Sequence, residues 1–246
     1  MNPEVRIFQD LEFLSHASAA LFIDYAVQSL KDRGRFLVVL TGGSTPVRLY
    51  QLLAEEKGGN IEWDKNHAFW SDERCVPPDD QESNYGQARE LLLRHVDIPD
   101  GNIHRIKGEI NPVEASKDYD RVLKQYAPPH SEWPRFDLVL LGMGEDGHTA
   151  SLFPGSPVES LTPTLAVTAH YEDRPAERVT LTPPVINSAR LIVFMVVGAN
   201  KALILSKVLS GPYQPELFPA QRISPKDGKL IWLVDEAAAS QLPGKK

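Results

Sequence analysis

The sequence predicts an α/β fold, a mainly parallel sheet with helices on both faces, and three observations carry that prediction. Strand-like and helix-like stretches alternate along nearly the whole chain. The strand-like stretches are continuously apolar, as in "RFLVVL" (35–40) and "RLIVFMVVG" (190–198), which is the pattern of strands covered on both sides. The glycines and charged residues of unusual character collect directly after strands, where ligands bind in such sheets. A chain of 246 residues can bury a substantial core, and no linker divides it, so residues 1–246 read as a single α/β domain.

Each element follows from period and punctuation. One strand precedes a first helix over Leu11–Asp32, which Gly34 stops. "RFLVVL" (35–40) is a buried strand, and "TPVRLYQLLAEE" (45–56) a helix with Leu49, Leu52 and Leu53 on one face. "HAFW" (67–70) is a short strand entering a Pro-rich loop, after which Ser83 is placed to cap the helix begun by "SNYGQARELLLRHV". A helix over roughly 112–126 precedes the strand "FDLVLLG" (136–142). Next come the strands "TLAV" (164–167), "RVTLT" (178–182) and "RLIVFMVVG" (190–198), the helix "NKALILSKVL" (200–209), and "LIWLVD" (230–235) before a short terminal helix. The final "GKK" reads as a mobile tail.

Composition narrows the function classes. The net charge of −7 argues against a general nucleic-acid surface, so an anionic ligand would need a local basic cluster. Cys75 is the only cysteine, which rules out an intrachain disulfide and fits a reducing compartment. The opening "MNPEVRIFQDLEF" has no basic segment followed by an apolar core, so no secretory signal is expected. The longest apolar run, from Leu191, falls far short of the about 20 residues a membrane-spanning helix needs. These features predict a soluble cytoplasmic protein with no nucleic-acid or membrane partner.

The stretch "LLGMGEDGHTASLFPG" (140–155) contains G-x-G-x-x-G as Gly142, Gly144 and Gly147, the spacing of a dinucleotide fingerprint. A dinucleotide site needs those glycines to open a helix that points at the pyrophosphate. Pro154 and Pro157 leave room for hardly two turns, and Glu172, in a polar loop, is not the acidic strand end a ribose contact requires. "GGSTP" misses the G-x-S-x-G nucleophile elbow because Pro46 replaces the last glycine. Seven scattered histidines show no metal-ligand spacing. What remains is a loop presenting Asp146 and His148: imidazole suits acid–base work near neutral pH, and a carboxylate can orient it. By itself, Asp-Gly-His fits a simple turn with a capped backbone equally well.

"VVLTGGSTPVRLYQLL" reads as a strand, a glycine turn and a helix starting at Pro46. Ser44 or Thr45 would cap that helix, with backbone N–H groups of Gly42, Gly43 and their neighbours facing an anion. Lacking the Walker lysine, this is a simple phosphate or sugar-phosphate cradle, or else an ordinary capped helix. Arg178 at a strand start and Lys201 at a helix start could both reach a dianion, and "SDERCVP" adds Asp72 and Arg74 at a strand exit.

Taken together, "LTGGSTP" (40–46), "WSDERCVPPDDQESNYGQARELLL" (70–93), "LGMGEDGHTASLFPGS" (141–156), "RVTLTPPVINSA" (178–189) and "GANKA" (198–202) resemble the successive signature blocks of the 6-phosphogluconolactonase family. The resemblance implies a Rossmann-like, twisted parallel sheet of the glucosamine-6-phosphate deaminase and ribose-5-phosphate isomerase superfamily. It implies hydrolysis of 6-phospho-D-glucono-1,5-lactone with no metal or organic cofactor. Carried over, it points to Gly43, Ser44 and Thr45 for phosphate or hydroxyl groups, with positive charge from Arg178 and Lys201. His148 would be the general base, Asp146 its orienter and Arg74 the stabiliser of the oxyanion or the holder of the sugar, with Asp72 in the same block. Which of Arg74, Arg178 and Lys201 meets the phosphate stays open, as does monomer against small homo-oligomer.

Two rivals share parts of this pattern. The deaminase-isomerase of the same superfamily resembles "DGHIAFNEP", with a Glu where this chain has Phe153 in "DGHTASLFP", and "MDEY" where this chain has "SDER". A non-catalytic sugar-phosphate sensor would normally carry a basic helix-turn-helix, for which the acidic first helix and the single strand before it leave no room.

Overall fold

Strand β1 (Glu4–Phe8) runs through Asp10 into helix α1 (Leu11–Arg33). The Asp10 carboxylate accepts from the backbone N–H of Glu12 and Phe13 at 2.9 and 3.1 Å, satisfying two donors that a helix start leaves orphaned. Gly34, at φ 70°, ends the helix in the left-handed conformation that side chains disfavour. The computed structural model describes residues 4–56, 59, 61–157, 161–169 and 175–244. Glu172 and the last two residues of "GKK" therefore lie outside the described residues.

The chain continues through β2 (Phe36–Leu40), α2 (Pro46–Glu55), β3 (Asn66–Trp70), β4 (Asp72–Arg74), α3 (Asn84–Leu91), β5 (Ile103–His104), α4 (Pro112–Gln125) and β6 (Leu138–Leu141). It then forms β7 (Thr164–Thr168), β8 (Glu177–Leu181), α5 (Pro183–Ile186), β9 (Leu191–Val196), α6 (Ala202–Ser210) and β10 (Lys229–Asp235), closing with a 3-10 turn at Ala238–Gln241. Ser83 caps α3 as its sequence suggests, its hydroxyl accepting from Gly86 N at 2.9 Å. Strand β5 and helix α5 were not legible in the sequence; at two and four residues they are too short to show a period.

Seven strands form a parallel sheet in the order β1-β10-β9-β6-β2-β3-β5. Every residue of β2, β6 and β9 is buried. Successive side chains of a strand point to opposite faces, so both faces of the sheet centre are covered, as the unbroken apolar runs require. Register partners Phe194 and Trp232 stack with ring centroids 3.8 Å apart. Full burial of side chains such as Phe36, Phe69 and Phe136 contributes on the order of 1.5–3 kcal/mol each.

One part of the reading needs correction. "TLAV" and "RVTLT" do not join the parallel sheet: β7 and β8 pair antiparallel with each other, and β8 pairs antiparallel with β4, in a separate three-stranded sheet. The physical reason is the short connection between β7 and β8, which allows a hairpin-like return but not the longer crossover that parallel neighbours need. This small sheet carries Asp72, Arg74 and Arg178 toward the carboxyl ends of the main strands.

Two buried tyrosines finish those strand ends. Tyr50 Oη donates to Thr41 O at 2.6 Å and accepts from Thr41 N at 3.1 Å, and Tyr119 Oη does the same for Trp70 at 3.1 and 2.9 Å. Burial pushes both phenols well above their ordinary pKa, so they remain neutral hydrogen-bonding groups.

Candidate active site

A cleft of about 890 Å³ opens at the carboxyl ends of the parallel strands. Gly42, Gly43, Ser44 and Thr45 line it from the turn after β2, Asp72 and Arg74 from β4, and Asp146 and His148 from the loop after β6. Arg178 enters from β8 and Lys201 from the 3-10 turn that leads into α6. The sequence-predicted site residues thus share one cavity, as expected of loops at one end of a parallel sheet.

The loop after β6 folds on its own polar groups. His148 Nδ1 lies 2.6 Å from Asp146 Oδ1, and the same oxygen accepts from His148 N at 3.0 Å. The turn and the oriented imidazole are therefore one arrangement, not alternatives. Burial pushes the Asp146 carboxyl up, but the hydrogen bond and charge of His148 outweigh it and leave the group below the ordinary Asp value. An ionised Asp146 can only accept, so Nδ1 donates the hydrogen bond between them. No nucleotide-type helix follows the glycine string; a single bridge joins Thr149 to Leu152 instead.

Gly144 is needed here for space. A Cβ on it would stand 2.1 Å from His148 Nδ1 and 2.7 Å from Asp146 Oδ1. Gly42 has the same role elsewhere: its Cβ would stand 1.8 Å from Asn84 Oδ1. Asn84 is a site residue that sequence reasoning missed. Its Nδ2 donates to Asp72 O at 2.9 Å, and its only sequence signal was a place directly after the Ser83 cap. Ser151 was missed too; its hydroxyl donates to Asp72 Oδ2 at 2.6 Å and fixes that buried carboxylate.

The turn read as a phosphate cradle differs from that reading in one detail. Thr45 takes the N-cap position of α2, but neither Ser44 nor Thr45 supplies a side-chain cap, because Thr45 already has helical backbone angles. Gly43, at φ 93°, makes the turn. The first backbone N–H groups of α2 are left without a side-chain cap at the wall of the cleft, the arrangement that suits an anion.

Glu73 lies between two cleft residues but points away into the protein, 2 % exposed. It accepts from Arg74 N, Ser83 Oγ, Asn84 N and Tyr85 N at 2.7–3.1 Å, tying β4 to the start of α3. Burial drives its pKa up to about 7 despite those bonds. Arg74 donates through Nη1 to Glu82 O and lies 3.4 Å from Glu82 Oε2, while its buried Nε has no hydrogen-bond partner among the described residues. Phe153 stands between His148 and Arg178: its ring centroid is 5.0 Å from that of His148 and 5.8 Å from Arg178 Cζ.

Cys75, half-buried beside this sheet, has its thiol pushed up to about 11 by burial and by Glu177 and Glu73. Among the described residues, no group of three or more His, Cys, Asp or Glu side chains is placed to hold a metal ion. None of the described helices is long and apolar enough to cross a membrane.

Residues 9–232 match the family model described as glucosamine-6-phosphate isomerases/6-phosphogluconolactonase. The 6-phosphogluconolactonase of Nostoc sp. is 39% identical over 246 residues, covering 98% of this chain and 99% of its own. The crystal structure of the Thermotoga maritima 6-phosphogluconolactonase is 30% identical with a TM-score of 0.82, over 95% of this chain and 99% of that one. A monomeric glucosamine-6-phosphate deaminase, 24% identical with a TM-score of 0.83 over 97% and 99% of the two chains, shares the fold.

Proposed function

The chain belongs to the glucosamine-6-phosphate isomerase/6-phosphogluconolactonase family, and on that premise we propose that it is a 6-phosphogluconolactonase whose general base is His148. It hydrolyses 6-phospho-D-glucono-1,5-lactone to 6-phospho-D-gluconate, a step of the oxidative pentose phosphate pathway. The single observation that carries the catalytic assignment is the His148–Asp146 pair, 2.6 Å apart on the wall of the cleft.

The chemistry needs a base, a charge stabiliser and a returning proton. Water attacks the lactone carbonyl carbon while His148 Nε2 takes its proton. Asp146 holds the ring and balances the imidazolium that results. The carbonyl oxygen becomes an oxyanion, which Arg74 stabilises unless that guanidinium instead holds the sugar. Collapse of this intermediate breaks the bond from the carbonyl carbon to the ring oxygen, and His148 returns the proton to that oxygen. The phosphate rests at the cradle of Gly42, Gly43, Ser44 and Thr45, with Lys201 and Arg178 as the cations closest in role. Asp72, fixed by Ser151 and Asn84, accepts from sugar hydroxyls.

Phe153 favours this reading over deaminase-isomerase chemistry, because an apolar ring lies against His148 where the other enzyme's motif carries a carboxylate. The same reading treats residues 1–246 as one lactonase domain of a soluble cytoplasmic protein, monomeric or a small homo-oligomer. It acts on a free phosphosugar lactone with no nucleic-acid or membrane partner and no metal or organic cofactor.

The test generates the lactone in situ with glucose-6-phosphate dehydrogenase and follows the acid with 6-phosphogluconate dehydrogenase, subtracting spontaneous opening. The expected result is acceleration by the wild-type chain, abolished in His148→Asn with the fold intact. Near-normal turnover by that variant would remove the base assignment, and no acceleration by the folded wild type would remove the lactonase reading.

A further inference from the structure

Three arginines converge on a second cavity, of about 270 Å³, at the end of the sheet opposite the cleft. Arg33 closes α1, Arg135 lies just before β6 and Arg190 just before β9, so they gather at the amino ends of central strands. Asp137, 2 % exposed, is the buried carboxylate that Arg33 and Arg190 reach. It is already committed: its Oδ2 accepts from Leu37 N at 2.9 Å and its Oδ1 from Arg33 Nε at 2.9 Å.

The three guanidinium groups are unequally satisfied. Arg33 also donates to Ser29 Oγ at 2.8 Å and to Asp32 at 3.3 Å. Arg190 Nε lies 3.2 Å from Asp137 Oδ1, close enough for an ion pair, yet it is buried and makes no aligned hydrogen bond. Arg135 has no hydrogen bond or ion pair among the described residues, and its Nε is buried. Two further carboxylates reach the cavity: Asp32 is taken by Gln28 and Arg33, and Asp227 is exposed. Burial, then the charges of Arg33 and Arg135, hold Arg190 below its ordinary pKa although Asp137 pulls the other way.

A planar N–H fork without an acceptor, at Arg135, beside a second whose contact to Asp137 is poorly aligned, at Arg190, faces a shared cavity and is suited to a tetrahedral oxyanion. We infer that this cavity is an anion site for a small dianionic oxyanion of the phosphate type, held chiefly by Arg135 and Arg190. It is separate from the catalytic cleft and does not depend on the lactonase reading.

Equilibrium dialysis with radiolabelled inorganic phosphate, at constant ionic strength, tests it on the full chain. Arg135→Gln is expected to lose one bound phosphate per chain with lactonase turnover unchanged, and the cleft variant Arg74→Gln is expected to keep that phosphate. An Arg135→Gln protein that binds as much phosphate as the wild type overturns the site. The Arg135 Nε–Hε resonance of the wild-type protein gives a readout that needs no variant to fold. A saturable shift with phosphate and none with chloride supports the site; the same response to both anions, or no response, overturns it.

Discussion

Arg74 and Arg178 are register partners on the antiparallel strands β4 and β8, so their side chains leave the small sheet on the same side. Directly opposed like charges destabilise a strand pair by about 0.2–1 kcal/mol relative to neutral residues. Both arginines stand at the wall of the cleft.

Arg74→Met is therefore expected to separate stability from activity. In the proposed mechanism Arg74 stabilises developing charge, and its loss is expected to lower kcat by about 10²–10³-fold, as removal of an oxyanion donor does elsewhere. Relief of the opposed charges offsets the lost bond to Glu82, so the stability change stays within about 1 kcal/mol. Turnover in the coupled assay and urea unfolding of the same preparation check both halves. A large loss of stability would show that Arg74 serves the fold first.

Gly144→Ala tests whether the loop after β6 exists to seat the imidazole. The backbone at Gly144 is not in the left-handed region, so the fold should tolerate Ala. Its Cβ would nonetheless meet the His148 ring and force it off Asp146. Misplacement of about 1 Å costs about 10²-fold in rate. The expected signature is a fall in kcat with KM little changed, since the turn before α2, the proposed phosphate site, is untouched.

Acid should loosen the edge of the sheet at His104. Its ring stacks on His67 with Nε2 3.2 Å from His67 Nδ1, and burial, then the neighbouring His67, lowers its pKa from 6.5 to about 4. The folded state thus holds this proton less tightly than the unfolded chain. Stability from the pair is complete above the unfolded value of 6.5 and declines as pH falls toward about 4. Urea midpoints at about pH 7.5 and about pH 5 should therefore differ more for the wild type than for His104→Phe. Equal pH dependence in the two proteins would exclude His104 as the source.

Cys75 should be nearly inert although it directly follows a strand that lines the cleft. With a thiol raised to about 11, little thiolate forms near neutral pH. Alkylation by iodoacetamide is expected to run on the order of 10²-fold slower than for an unperturbed thiol, and to leave turnover unchanged while it does. Mass spectrometry against time reads this directly.

The central strands were legible because burial on both faces leaves an unbroken apolar string, and the first helix because Gly34 marks its end. The candidate residues were legible because loops after parallel strands share one end of the sheet. The hairpin of β7 and β8 was not, since a short apolar run does not reveal its partner. Asn84, Ser151 and Glu73 escaped for a similar reason: each acts through a neighbour remote in sequence, Asn84 beside Gly42, Ser151 on Asp72, and Glu73 on the start of α3.

By itself the sequence determined the α/β class, the strand ends where polar groups gather, and the Asp146–His148 loop, because these rest on local period, turn chemistry and spacing. Only the tertiary structure decided that Arg74 faces Arg178, that Gly42 and Gly144 exist to admit Asn84 and His148, and that three arginines share a cavity at the far end of the sheet. Each of those depends on which strands become neighbours. Strand pairing is chosen by how the whole core packs, and a linear string does not contain that choice in readable form.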